Sequence, residues 1–314
     1  MLVNLVPEFL ATLAAPDPSA AYHEYLDRHR PVLSAYWQNY VLDPESPHAE
    51  PIIATALRAD RSDLKRLLED VDVVAVAEDA LRRATEMLEA DCPVDLYVMV
   101  GVGAANAGEL VIGGRGIAFV CLEHFTGRAN AQTYGMGLAP ELLPLWIAHE
   151  VAHALRYTAP SSRAAMRRLV GELGGYYDGW EIGSRATLRE LVVNEGVAIA
   201  ASQAVAPGFD PWEYFGYNRR QYRRLRELDA FLRRAAVTDL DSTGLGLRLR
   251  YLSGGMSPAA RLLAGKVLPE RSGYYLGLRL VENYFTEHGA ASTVRAAVEE
   301  VRQADDRASG VQTA

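Results

Sequence analysis

In the run Leu145-Trp146-Ile147-Ala148-His149-Glu150-Val151-Ala152-His153-Ala154-Leu155, two histidines stand four residues apart and a glutamate follows the first directly. On a helix, positions i and i+4 lie one above the other, so both imidazoles leave from one face and can hold a single metal ion. Glu150 sits about a third of a turn round, placed to reach a water on that ion without being a ligand itself. Two nitrogen ligands with a neighbouring general base make the residue pattern of zinc hydrolysis. The flanks are apolar on almost every side, so the helix is expected to be buried. Two histidines and an acid buried without partners are costly, and a metal supplies the partners.

Two imidazoles leave a catalytic zinc site incomplete, because the metal takes three protein ligands and keeps a fourth position for water. A further histidine six residues after His153 would fall on Ala159, which excludes that class of site. Two downstream carboxylates remain, Glu172 and Glu195. Glu172 follows His153 after eighteen intervening residues, a gap found in aminopeptidase-like glutamate-zincins, but it stands just before Gly174-Gly175, a poor place to hold a ligand rigidly. Glu195 falls on a helical stripe with Leu188, Leu191, Val192, Ala198, Ile199 and Ser202. An acid on a buried stripe demands a partner. Glu190, at 100° per residue, points about 140° away and reads as solvent-exposed. Gly196 allows close approach of a facing helix, which suits one lying beside the metal helix.

The string Asn194-Glu195-Gly196-Val197-Ala198 resembles the NEG(x)A element of glutamate-zincins. HEVAHALR, a connection of some forty residues and TLRELVVNEGVAIAAS together resemble the predicted zinc-dependent proteases of the DUF2268-like family. Cys121-Leu122-Glu123-His124-Phe125-Thr126-Gly127 is similar to the strand end that precedes the metal helix in that family, and Gly273-Tyr274-Tyr275-Leu276-Gly277 to its late GYxxG element, with Leu278 where an aromatic residue often follows. The likeness runs over roughly residues 94–288. It implies a zincin-like fold, Zn²⁺ as cofactor, a peptide or protein substrate, and His149, His153 and Glu195 as ligands. Glu150 then acts as general base. A developing oxyanion needs a further donor, for which Tyr274 is the first candidate and Tyr275 the second. Asn194 is a candidate to orient an imidazole, and the strand over 116–122 to pair with an extended substrate. Two other readings compete with a metallopeptidase: a zinc hydrolase of a non-peptide amide or ester, and a non-catalytic, zinc-stabilised binding protein.

The chain that must position these residues has 314 residues, 49% of them hydrophobic and 23% charged, a composition of globular type. A net charge of −8 disfavours nucleic acid as partner, and the arginines at 219, 220, 223, 224 and 226, interleaved with Glu227 and Asp229, read as a solvated helix face. No apolar run is long enough for a bilayer, and the N-terminal stretch lacks the basic start of a secretory signal, so a cytoplasmic location is expected. Cys92 and Cys121 are too few for a disulfide framework or a thiolate site.

The expected architecture is α+β, a mainly helical zincin-like fold with a small sheet ahead of the metal helix. Residues 1–90 read as a helical region, with Ser19 and Ser62 as helix caps and Pro31 as a kink. Residues 91–304 form the metallohydrolase domain, one unit with those helices, and 305–314 a frayed tail. Strands are expected over 94–100, 109–112 and 116–122, with a turn at Gly113-Gly114-Arg115. His124 at the last strand's end is a more distant site candidate. Five glycines among aromatics over 171–183 suggest a flexible loop or lid. Helices follow over 185–204, 211–235 and 273–288.

Overall fold

Val94-Asp95-Leu96-Tyr97-Val98-Met99 alternates in the manner of a strand, and in the computed structural model, which describes residues 1–308, it lies inside a four-stranded sheet. The strands are β1 (Leu2–Asn4), β2 (Val94–Met99), β3 (Ala107–Ile112) and β4 (Arg115–Cys121), in the order β1-β2-β4-β3. β1 and β4 run parallel to β2, while β3 runs antiparallel to β4. The β3–β4 hairpin turns on Gly113 and Gly114, with φ of 58° and 78°, the left-handed backbone that a two-residue turn demands. Two expectations are corrected here. The first residues of the chain form strand β1 rather than helix, and β4 is an inner strand with both edges paired, so it cannot take up a substrate chain.

The motif helix (Leu143–Thr158) crosses this sheet, and every residue from Leu145 to Tyr157 is buried. It packs on β4 and β3 below and on the helices Val73–Met87 and Leu188–Val205 beside it. The second of these, the carboxylate helix, starts where the Thr187 side chain accepts from the Glu190 amide. It packs in turn on the late helix (Ser272–Arg295), which breaks at Gly289 with φ 75°. A Cβ on Gly196 would lie 2.1 Å from the carbonyl carbon of Gly277, and one on Gly277 would lie 1.8 Å from the Val192 oxygen. Gly196 therefore lets the late helix approach, not the motif helix. The late GYxxG element owes its second glycine to this crossing.

Glu190 is buried, against expectation, because the carboxylate helix is covered on nearly all sides, and its carboxyl is pushed up by burial while Arg156 pulls it down. In the N-terminal region Asp17, not Ser19, caps the helix Pro18–Arg28 by accepting from Ala20, and Pro31 sits in the first turn of the next helix, Arg30–Tyr36. Ser62 begins the helix Ser62–Asp70 without capping it; its amide and hydroxyl both donate to Asp60. Phe9, Trp37, Ile53 and Leu64 of these helices share one core with Leu96, Phe119 and Ile147. The 171–183 segment is fastened rather than loose: Gly114 N donates to Gly175 O, Tyr177 N donates to Val111 O, and a helix covers Gly179–Arg185. Residues 305–308 end the helix Val298–Ala308 instead of fraying, and 309–314 lie outside the described residues. The arginine-rich helix Arg219–Glu227 buries only Leu225. Among the described residues no helix is long and apolar enough to cross a membrane.

Candidate metal centre

Helical spacing stacks His149 on His153, and the carboxylate helix brings Glu195 against both. The two Nε2 atoms lie 3.2 Å apart, and Glu195 Oε2 lies 3.4 Å from that of His149 and 3.5 Å from that of His153. Ligand atoms held tetrahedrally about 2.0–2.1 Å from a zinc ion are separated by about 3.3–3.4 Å. The three atoms therefore already have the spacing of one triangular face of such a site. Both histidines are 2% exposed and Glu150 4%, so the group is withdrawn from solvent. The His149 Nδ1 and Glu195 Oε2 atoms are buried without a hydrogen-bond partner. Two imidazole nitrogens and a partnerless carboxylate oxygen that converge in this way fit a cation of N/O preference.

Glu172 stands apart, exposed and paired with Arg168 and Arg185. Of the two carboxylates, Glu195 is the one brought against the histidines.

Charge within the cluster is strongly coupled. Burial pushes the His149 imidazolium down. Burial acts the same way on His153, but Glu195 and Glu109 outweigh it and raise that imidazole to about 9. Glu195 is held well below the usual carboxylate range, since His153 and His149 overcome the upward effect of burial. Glu150 moves the other way, pushed well up by burial and by Glu109 beside it. A divalent cation works against that rise, because its field favours the carboxylate.

Around the ligands lies a ring of polar partners. The Asn194 amide is 3.0 Å from His153 Nδ1 and 2.8 Å from the Tyr157 hydroxyl. The amide nitrogen donates to the Tyr157 hydroxyl and faces His153 Nδ1, while Asn194 Oδ1 has no partner. Asn194 thus takes the orienting place expected of it. Tyr157 also donates to Glu109 Oε1 at 3.1 Å, and Tyr40 donates to Glu109 Oε2 at 3.0 Å. Glu109, Glu150 and His153 form a second group whose potential ligand atoms lie within 4.8 Å of one another. Sequence reading passed over Glu109 and Tyr157. Each left a trace: Tyr157 continues the i+4 series of His149 and His153, and Glu109 is the one charged residue of β3.

The Tyr274 ring lies nearly parallel to the His149 imidazole, centroids 6.5 Å apart and planes 14° apart. Tyr275 turns elsewhere, packing on Phe215 and Tyr222. One residue of helix separates them, so only one can face the ligands. His124 is buried, with Nδ1 accepting from the Met136 amide, and it belongs to neither potential metal group. In comparison with known proteins, no family model matches the chain, and no curated protein or solved structure matches it either.

Proposed function

We propose that this chain is a zinc-dependent metallopeptidase of the HExxH glutamate-zincin type, with His149, His153 and Glu195 as ligands. The observation that carries the reading is the meeting of three potential ligand atoms at 3.2–3.5 Å, one of them, Glu195 Oε2, without a hydrogen-bond partner, with Glu150 directly after the first histidine on a helix buried from Leu145 to Tyr157. When bound, zinc acidifies water toward neutrality and polarises a carbonyl. The rest falls to the chain's own groups. A Glu150 carboxylate oxygen takes the proton of the attacking water and returns it to the leaving amine nitrogen. The Tyr274 hydroxyl, whose titration burial and Glu195 push far above neutrality, stays protonated and donates to the oxyanion of the tetrahedral intermediate. Asn194 and Tyr157 hold His153 in one orientation. Glu109 lies beside Glu150 and, fixed by two tyrosine hydroxyls, limits where that carboxyl can move.

Deep burial of His149 and His153 favours a second reading, hydrolysis of a small amide or ester in place of a protein loop. A peptide-library digest by the zinc-loaded protein separates the two, with Glu150→Gln as blank. Glu150→Gln is expected to retain its zinc and to lose about 10²–10⁴-fold in turnover. An unchanged rate in that variant removes the mechanism, and zinc retention without turnover in the native chain on any amide or ester points to a binding role.

A further inference from the structure

Eleven arginines of the described residues are at least partly withdrawn from solvent: 61, 83, 156, 189, 233, 248, 250, 261, 271, 279 and 295. Ten of them have acceptors. Arg83, Arg189, Arg233, Arg250, Arg279 and Arg295 pair with carboxylates, and Arg61, Arg156, Arg248 and Arg261 donate to backbone carbonyls. Among the described residues Arg271 has no carboxylate within 4.0 Å and no carbonyl as partner; the groups that act on it are the Tyr274 phenol, by charge and by hydrogen bond, the Tyr217 phenol and Glu195. A half-buried guanidinium without an anion is costly, and chains rarely leave one so placed without a use for it.

Its place is specific. Arg271 immediately precedes the late helix, with φ 56° and ψ 25°, a left-handed conformation unusual for a residue with a side chain. The Tyr217 hydroxyl holds its carbonyl at 2.6 Å. Its guanidinium carbon lies 4.2 Å from the centre of the Tyr274 ring, the ring that in turn lies along His149. Gly216 leaves room for one guanidinium nitrogen, for a Cβ there would come within 3.3 Å of it and 3.0 Å of the Trp146 ring. Trp146, His149, Tyr274 and Arg271 therefore form one continuous wall, and the guanidinium stands one aromatic ring beyond the metal ligand.

A second observation limits what reaches this wall. β3 is the sheet edge that carries Glu109 into the metal centre, and three of its outward backbone groups are already taken. Tyr40 OH bonds both the amide and the carbonyl of Glu109, and the Tyr177 amide donates to the Val111 carbonyl. An extended substrate chain has no free ladder there to pair with. Recognition must come from side chains, and the partly buried arginine there with neither a carboxylate nor a carbonyl partner is Arg271.

Resting on the metallohydrolase reading, we propose that Arg271 anchors the free carboxylate of the substrate's C-terminal residue, so that the site acts on chain ends and acyl amino acids with a free α-carboxylate. A residue spans about 3.3–3.6 Å. The carboxylate of the residue after the scissile bond is thus displaced by about one residue from the reacting carbonyl, as Arg271 is displaced by one ring from the ligands. The planar guanidinium fork matches a carboxylate with two parallel hydrogen bonds.

The test uses zinc-loaded Glu150→Gln protein, which holds substrate without turning it over, and the probe pair N-benzoyl-Gly-Phe and its C-terminal amide, with binding read by calorimetry. The acid is expected to bind about 10- to 100-fold more tightly than the amide, the range of a charge-assisted hydrogen-bonded pair. Adding Arg271→Gln should erase that preference, and Arg271→Lys, which keeps the charge but not the fork, should restore part of it. Equal binding of acid and amide, no binding of the acid, or a preference that survives Arg271→Gln overturns the proposal. The two readings fail separately. An acid preference that tracks Arg271 in a protein that hydrolyses neither probe keeps the anchor and removes the peptidase. Equal cleavage of both probes, unmoved by Arg271→Gln, does the reverse.

Discussion

Two buried polar clusters hang from the same motif helix, and they are settled in opposite ways. Arg156 is fully buried, yet its guanidinium donates at 3.1 and 2.9 Å to the carbonyls of Val294 and Ala296, which end the late helix, with Glu190 as a nearby opposing charge. That cluster turns one guanidinium nitrogen, Nη1, on carbonyls that a helix end leaves open, while Arg156 Nε and Nη2 and Glu190 Oε2 stay without partners. One turn earlier, His149, His153 and Glu195 point their acceptor atoms at one another, and two of these residues keep an atom with no partner. Burial alone does not distinguish a site from a structural knot. What distinguishes them is convergence: Arg156 and Glu190 also keep partnerless atoms, but only His149, His153 and Glu195 bring potential ligand atoms to one point at 3.2–3.5 Å.

The sharpest way to break this contrast is to replace one member of each cluster by an apolar residue. His149→Leu should abolish stoichiometric zinc binding, and with it the stabilisation that excess metal confers, about 4 kcal/mol at a free zinc concentration a thousandfold above Kd. The metal-free variant should melt no lower than the metal-free native chain, since a costly buried imidazole is gone. Arg156→Met should cost about 3–5 kcal/mol with or without zinc, because it strands Glu190 and two carbonyls. Zinc content by metal analysis and thermal melts with and without chelator read both. In the same assay Glu195→Ala should lose the metal and Glu172→Ala should keep it. If Arg156→Met melts like the native chain, or His149→Leu still gains stability from zinc, the contrast is wrong.

How far the clusters could be read from the sequence follows from the range of the signals. The motif helix, the β3–β4 hairpin on Gly113-Gly114 and the stripe that carries Glu195 rest on local periodicity and turn chemistry, and they stand where the spacing put them. Angular separation misplaces Glu190 because it marks a solvent face only on a helix with one open side, and this one is covered on nearly all sides. β1 was missed because three residues carry no periodicity and their pairing partner lies more than ninety positions away. The separation of Tyr274 from Tyr275, and the neighbourhoods of Glu109 and Arg271, are set by helix crossings and edge contacts that no local pattern encodes. The Gly196–Gly277 crossing illustrates this: the glycine announced a close approach, but not by which helix.

A smaller effect sharpens the same comparison at the rim of the metal group. Asn194→Ala removes the partner of His153 Nδ1 and of the Tyr157 hydroxyl while leaving all three ligand atoms in place. Zinc affinity is expected to fall about 10- to 100-fold, the usual effect of losing a group that orients a ligand, with the stoichiometry unchanged. Competition with a chromophoric chelator measures it. A variant with native affinity would show that packing alone orients the imidazole.

The smallest effect is a slope in pH. In the metal-free protein His153 titrates at about 9, because Glu195 and Glu109 outweigh burial, whereas an unfolded histidine titrates near its ordinary value of 6.5. A raised pKa means that the folded state holds the proton more tightly, so this stability is fully present below about 6.5 and is lost as pH rises through about 9. Native metal-free protein should therefore lose up to about 1.4 kcal/mol per pH unit within that window. His149, whose pKa is lowered, acts below the window, and Glu150, whose pKa is raised, adds a slope of the same sign as His153. The difference between the native chain and His153→Gln isolates the one histidine. Zinc must displace that same proton, so its affinity should rise by up to about tenfold per unit across the window and level off above pH 9. Chemical denaturation at pH 6.5, 7.5, 8.5 and 9.5 tests the first slope, and zinc titrations in the same buffers test the second. A flat profile in both would place the cluster with Arg156, as a structural group of the fold.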